Sequence, residues 1–142
     1  MLVHLSGCAS ATDSYCATLE DERQVLTGLA ATSDQPGADL FENTLAVFET
    51  LRGEAPGDVR DEWDTFLFAW QDVADAFSVT RVRPGDYAPG TTPPGLNREA
   101  ARRIENAAAE LRSVRVVEAG RGIEQHARDV CKVDLAPATA GS

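Results

Sequence analysis

The stretch 59–77 constrains the fold most, because its apolar side chains recur at the spacing of an amphipathic helix. The apolar positions are Val59, Trp63, Phe66, Leu67, Trp70, Val73, Ala74 and Phe77. Steps of three and four residues place such side chains on one face of a helix, whereas a strand alternates at every second residue. Asp61 and Glu62 stand near its start, where the helix dipole favours anions. We therefore expect a long core helix that the rest of the chain surrounds.

The other apolar patterns predict shorter helices on both sides of this core helix. They cover about residues 14–31, 39–53, 97–111 and 113–131, and the expected caps are Asp13 or Ser14, Asn97 and Ser113. The last helix is expected to turn inward Val116, Ile123, Ala127, Val130 and Cys131. Residues 80–95 hold four of the seven prolines and three glycines, too many for a helix or a central strand. The predicted fold is an all-α bundle of four or five helices with a Pro/Gly-rich crossover loop.

Charge argues against several classes of partner. The chain of 142 residues carries a net charge of −10, whereas nucleic acids and anionic lipid surfaces attract clustered Lys and Arg. The charge is uneven: residues 1–80 contain 15 acidic and 3 basic side chains, and residues 81–142 contain 8 acidic and 10 basic ones. We expect the two parts to attract each other within one domain, with an acidic surface for a partner as the alternative. No binding of nucleic acid is expected.

The motifs of common enzymes and metal sites are missing from the sequence. It contains no P-loop, GxGxxG, CxxC, HExxH or EF-hand spacing. His126 is expected to be a partly buried polar residue near the end of the last helix. The carboxylates Asp58, Asp61, Glu62 and Asp64 are interpreted as a solvated helix end. We expect no catalytic residue, no metal and no cofactor.

Two aromatic features of the core helix are candidate binding positions. Trp63 and Trp70 stand seven residues apart and share one helix face, which indicates core packing or, alternatively, a ligand-stacking platform. Phe68 lies in register with Asp61 and Asp75 on the nominally wet side. Cover by another segment is the favoured explanation for Phe68, and a contact surface for a partner protein is the alternative.

The segment LSGC at residues 5–8 resembles the lipobox of bacterial lipoprotein signal peptides, which implies that Cys8 is acylated, as by palmitate, and becomes the mature N-terminus. The charged region and most of the apolar region of such a signal do not precede it, so we expect a truncated signal remnant. The predicted organisation is a remnant over 1–8, a tether over 9–13, a helical domain over 14–135 and a disordered tail over 136–142. The expected location is the extracellular face of the cell membrane, or the secreted fraction.

Together with LSGC, the segments SYC (14–16), LRGEAPGDVRDEW (51–63) and GIEQHARDVC (122–131) resemble a group of small uncharacterised exported lipoproteins of high-GC Gram-positive bacteria. The resemblance implies a secreted helical domain in which Cys16 is bonded to Cys131, and it supplies no catalytic residue. Two buried free thiols are the alternative for these cysteines.

These features predict a non-catalytic, exported or membrane-tethered helical module that binds or scaffolds an unknown exported or membrane protein. The alternative is a lipoprotein that holds a small apolar ligand between helices near Trp63 and Trp70. We expect a monomer that reaches the membrane only through the lipid on Cys8.

Overall fold

The computed structural model describes residues 10–31, 38–86 and 93–135, which form six α-helices with no strand among them. The helices are α1 (Ala11–Asp21), α2 (Arg23–Ala31), α3 (Ala38–Glu54), α4 (Arg60–Thr80), α5 (Arg98–Leu111) and α6 (Val114–His126). A 3-10 turn covers Pro84–Asp86, and a π-helical turn over Ala127–Cys131 continues α6. The predicted all-α fold is confirmed. One helix more than expected is present because the predicted first helix is two helices.

The central helix is α4, which packs against α3, α5 and α6. Its buried side chains are Trp63, Leu67, Ala69, Val73 and Ala76. Ala69 and Ala76 lie outside the apolar stripe expected from the sequence, and their spacing of seven residues makes them a second buried line. Because neighbours surround α4 on three sides, its buried surface is wider than one stripe, and small side chains let a neighbouring helix come close.

Helix α1 begins earlier than the sequence pattern predicts because Ser10 caps it. Ser10 Oγ accepts a hydrogen bond from the Asp13 backbone N–H (3.1 Å), and the Asp13 carboxylate accepts one from the Ser10 N–H (3.1 Å). This reciprocal capping box satisfies N–H groups of the first turn that have no partner within the helix. The predicted caps Asp13 and Ser14 are therefore wrong, and residues 11–13 of the predicted tether are helical. α1 and α2 meet at Glu22, whose ψ of −1° departs from the α-helical value.

The end of α6 is tied to α1 by the disulfide Cys16–Cys131, whose Cα atoms are 5.1 Å apart. The π-helical turn inserts one residue into the helical register. Cys131 therefore takes the inward direction that a regular α-helix would give to residue 130. The prediction that Val130 points inward is wrong for this reason: its side chain is 45% exposed. Lys132 ends the turn with a φ of 59°, and Val133 returns the chain to the core.

One hydrophobic core joins α1, α3, α4 and the end of α6. Its buried members are Tyr15, Leu19, Phe48, Leu51, Ala55, Val59, Trp63, Leu67, Ile123, Ala127 and Val133. α5 and α6 begin at the predicted caps: Asn97 Oδ1 accepts from the Ala100 N–H (2.8 Å), and Ser113 Oγ accepts from the Val116 N–H (3.3 Å). The aromatic stripe and the cap Ser113 thus help to position α4 and α6, two of the helices that form the candidate sites.

The Pro/Gly-rich crossover is described over residues 80–86 and 93–95, and its 3-10 turn packs against α3. Cys8 with the lipobox-like segment and the predicted tail over 136–142 lie outside the described residues. Within the described ranges, no helix combines the length and the apolar character that a membrane span requires.

Candidate functional site

The outer face of α4 carries an uncovered aromatic side chain. Phe68 is 65% exposed, so the expected cover by another segment is wrong. The described 3-10 turn of the crossover packs on α3. A groove of about 410 Å³ beside Phe68 is lined by Glu49, Arg52, Gly53, Asp64, Leu67 and Gln71. The alternative interpretation of Phe68, a contact surface for a partner protein, stays a prediction.

Acidic residues surround Phe68 along the helix. Asp72 lies four residues after it, and Asp61 and Asp75 lie seven residues to either side, so all three share its side of α4. Val79 also lies on this side and is 62% exposed. We call these five exposed residues, Asp61, Phe68, Asp72, Asp75 and Val79, the Phe68 face.

An ion pair fixes the edge of the Phe68 face that adjoins α3. Arg52 Nε donates to Asp64 Oδ1 (2.5 Å), and this hydrogen bond lowers the pKa of Asp64 below its usual range. Arg60 is the single basic residue in α4. No ion pair joins Asp61, Asp72 or Asp75 to another described residue. The Phe68 face thus has an apolar centre with three carboxylates around it, and Arg103 and Arg115 line a groove beside Asp72 and Asp75.

A second candidate site lies on the opposite side of α4. A groove of about 330 Å³, here called the Trp groove, lies beside the two predicted tryptophans. It is lined by Leu26, Phe48, Trp63, Phe66, Trp70, Gly120, Ile123, Glu124 and Leu135. Trp63 is buried and Trp70 is partly exposed. Core packing therefore explains Trp63, while Trp70 and the exposed edge of the aromatic cluster form a wall that a ligand can reach.

The aromatic wall of the Trp groove is closely packed. The ring of Phe48 lies 5.1 Å from that of Phe66 and 5.3 Å from that of Trp70, measured between centroids, and both pairs are edge-on. Such geometry matches the positive edge of one ring to the negative face of the next. The wall is therefore preorganised and needs no rearrangement of these rings to present an apolar surface.

The polar group of Trp63 is engaged inside the core. Trp63 Nε1–H donates to the Tyr15 hydroxyl oxygen (2.8 Å), and both side chains are buried. Burial raises the pKa of the Tyr15 phenol; the hydrogen bond from Trp63 opposes this, and the charge of Asp58 adds to it. The indole of Trp63 therefore offers the groove only carbon surface.

Helix α6 approaches α4 closely along two glycines at the groove. A Cβ on Gly120 would lie 3.5 Å from the Phe66 ring, and a Cβ on Gly122 would lie 2.9 Å from Glu62 Cγ. Glu124 follows on the same helix and is the charged residue among the described groove-lining side chains. Gly120 allows α6 to come close to Phe66 at the groove, and Glu124 lies about one turn further along the same helix.

His126 is partly buried at the end of α6, as predicted. Its side chain is 8% exposed, and its Nε2 lies 3.4 Å from Asp58 Oδ2. Neither ring nitrogen makes a hydrogen bond to a described residue. Of the four carboxylates interpreted as a solvated helix end, Asp58 and Asp61 are exposed, while Asp64 pairs with Arg52 and Glu62 lies against Gly122. Across the described residues, no three acidic, Cys or His side chains are placed to hold a metal ion.

The chain matches no protein-family model, no curated protein and no solved structure.

The geometry brings together two sets of residues that the sequence pattern only partly indicated. Asp72 and Val79 follow from the helical spacing around Phe68 and were detectable from it. Leu26, Glu124 and Leu135 reach the Trp groove from distant segments, and no local spacing indicates them.

Proposed function

We propose that this protein is a non-catalytic binding or scaffolding module whose Phe68 face docks on another protein. The observation that carries the proposal is the 65% exposure of Phe68 at the centre of an acidic helix face. A large aromatic side chain that is mostly exposed contributes little to the core of the monomer, whereas aromatic side chains anchor many protein interfaces.

The chemistry of the Phe68 face indicates the kind of partner. Asp61, Asp72 and Asp75 carry negative charge around one aromatic anchor. The complementary surface is an apolar pocket rimmed by Lys and Arg, since charge complementarity steers association and excludes wrong partners. Buried aromatic contact then supplies most of the affinity, while the charged rim sets the rate of association and its dependence on salt.

An exported or membrane-tethered setting completes the proposal. The resemblance of LSGC to a lipobox supports a lipid on Cys8, and the bond between Cys16 and Cys131 supports an oxidising compartment, where disulfides persist. Expression from the native locus followed by cell fractionation tests this. We expect the protein in the membrane fraction and Cys8→Ser in the soluble exported fraction; a wild-type product in the cytosol contradicts the proposed location.

Crosslinking from position 68 in intact cells tests the docking surface. A photoreactive phenylalanine analogue at Phe68 is expected to capture one basic exported or membrane protein. Phe68→Asp should abolish binding of that purified partner, and added salt should slow its association. The matched control is Val130→Asp, because Val130 is 45% exposed on the π-helical turn, which packs against α1. Equal loss of binding in both variants, or none in Phe68→Asp, contradicts the proposal.

The Trp groove supports a second candidate function, the binding of a small apolar ligand. Its volume of about 330 Å³ and its apolar aromatic lining favour this, since ligand sites are concave, mostly apolar and largely preformed. Titration of the full chain with apolar compounds, followed by tryptophan fluorescence, tests it. Saturable quenching that disappears when the groove is filled by Gly120→Leu supports the function. Quenching that persists in Gly120→Leu argues against it.

A further inference from the structure

The residues that line the Trp groove restrict the chemical class of ligand that it can bind. An inference about that class rests on the ligand-binding function just described. Eight of its nine described lining residues are apolar side chains or glycine, and the ninth is Glu124. The groove volume of about 330 Å³ is near the lower end for sites of small ligands, about 300 to 1,000 Å³. The ligand body is therefore small and apolar.

The polar group of such a ligand would lie near a hydrogen-bond acceptor, the carboxylate of Glu124. Glu124 is partly exposed and carries a carboxylate, which when ionised only accepts hydrogen bonds. The indole N–H of Trp63 is already donated to Tyr15. A carboxylate on the ligand would face Glu124 with like charge, whereas an ammonium group would face a complementary one.

No cation of the protein already neutralises Glu124 in the described structure. Arg121 and Arg128 lie three residues before and four residues after it on the α6 segment, and both are exposed. Neither lies within ion-pair distance of Glu124. The electrostatic environment at this edge of the groove therefore favours a cation.

The aromatic wall of the groove also favours a positively charged ligand. The faces of Trp and Phe rings carry partial negative charge and attract ammonium groups, most strongly where water is partly excluded. Trp70 and Phe66 are partly exposed in the groove and lie 6.2 Å apart between centroids. A cationic group between this wall and Glu124 meets both sources of attraction.

We propose that the Trp groove binds a small organic cation with an apolar body, whose ammonium group pairs with Glu124. The body lies on Phe48, Phe66 and Trp70, and the charged end lies at the α6 side of the groove. This class includes alkylamines and quaternary ammonium compounds, and it excludes fatty acids.

Three probes with the same eight-carbon body test the charge preference on the full chain: octyltrimethylammonium, octanol and octanoate, each below its aggregation concentration. Calorimetry and tryptophan fluorescence give the dissociation constants. We expect the cation to bind about tenfold more tightly than octanol, and octanoate to bind most weakly. Glu124→Gln should weaken binding of the cation much more than binding of octanol, so the preference should fall to the part that the aromatic wall supplies. The control Glu118→Gln, an exposed residue of α6 outside the groove, should bind as wild type.

The outcomes separate the two claims. If octanol or octanoate binds as tightly as the cation, the charge preference is wrong while an apolar ligand site remains. If none of the three binds, both the ligand-binding function and the charge preference are wrong. Gly120→Leu should abolish binding of all three probes, and circular dichroism establishes that the variant is folded. If Gly120→Leu unfolds, Gly120→Ala serves as the second variant, because its Cβ sits at ordinary contact distance from Phe66 and narrows the groove by one methyl group.

Discussion

Removing the disulfide should destabilise the protein strongly, chiefly through its unfolded state. Cys16 and Cys131 are separated by 115 residues, so the bond closes a loop that includes most of the described chain. Loop-closure entropy for a loop of this length corresponds to about 5 kcal/mol at 25 °C. The entropy of unfolding is about 2.1 cal/mol/K per residue, or about 0.3 kcal/mol/K for this chain. The double variant Cys16→Ala/Cys131→Ala should therefore melt about 16 °C lower than the oxidised wild type.

Differential scanning calorimetry of the two proteins, each with and without reductant, measures this shift. Reductant should lower the melting temperature of the wild type by a similar amount and leave the double variant unchanged, and Cys8→Ser should melt as wild type. Because the unfolded chain expands without the bond, the urea m-value should also rise. A melting temperature lowered by less than about 4 °C, with an unchanged m-value, would refute the reasoning that the bond acts on the unfolded state.

Four further predictions concern the core and the charged edge. Tyr15→Phe leaves the buried N–H of Trp63 without its acceptor and should lower the unfolding free energy by about 1 to 3 kcal/mol in urea titrations. Burial raises the pKa of Tyr15 in the folded state. The stability that the Tyr15 phenol contributes is therefore complete below its unfolded pKa of about 10 and declines as pH rises above that value. Tyr15→Phe should weaken this alkaline loss of stability between pH 9 and about 11. Because Arg52 lowers the pKa of Asp64, the stability from this pair is present above about pH 4 and declines below it, and Asp64→Asn should reduce the acid dependence of the melting temperature. Gly120→Ala should stabilise α6 by up to about 1 kcal/mol, measured by urea denaturation, and a loss of stability would show that a methyl group does not fit there.

The fold was largely predictable from the sequence because helical periodicity is a local property. The stripe over 59–77 and the caps Asn97 and Ser113 depend on neighbours within one or two turns, and the structure places α4, α5 and α6 close to the expected bounds. The direction in which the Val130 side chain points was not predictable in this way, since a π-helical turn has no clear signature in the amino-acid composition. Its position depends on how the chain reaches Cys16.

The candidate sites were only half predictable, for a related reason. The shared face of Trp63 and Trp70 and the opposite position of Phe68 follow from helical spacing alone. Whether another segment covers Phe68, and whether space remains beside Trp70, depends on where the crossover and α2 pack. These are tertiary contacts between residues far apart in sequence, which hydrophobic patterns do not encode.

The π-helical turn over Ala127–Cys131 also bears on how chain length can vary. It amounts to an α-helix with one residue too many, so deleting one of residues 128–130 would return the segment to regular α-helix with Cys131 still directed toward Cys16. A deletion elsewhere in α6 would rotate every following side chain by about 100° and break the disulfide geometry. An alignment of related chains should therefore tolerate a one-residue gap between His126 and Cys131, inside a helix, where insertions and deletions are otherwise the least acceptable.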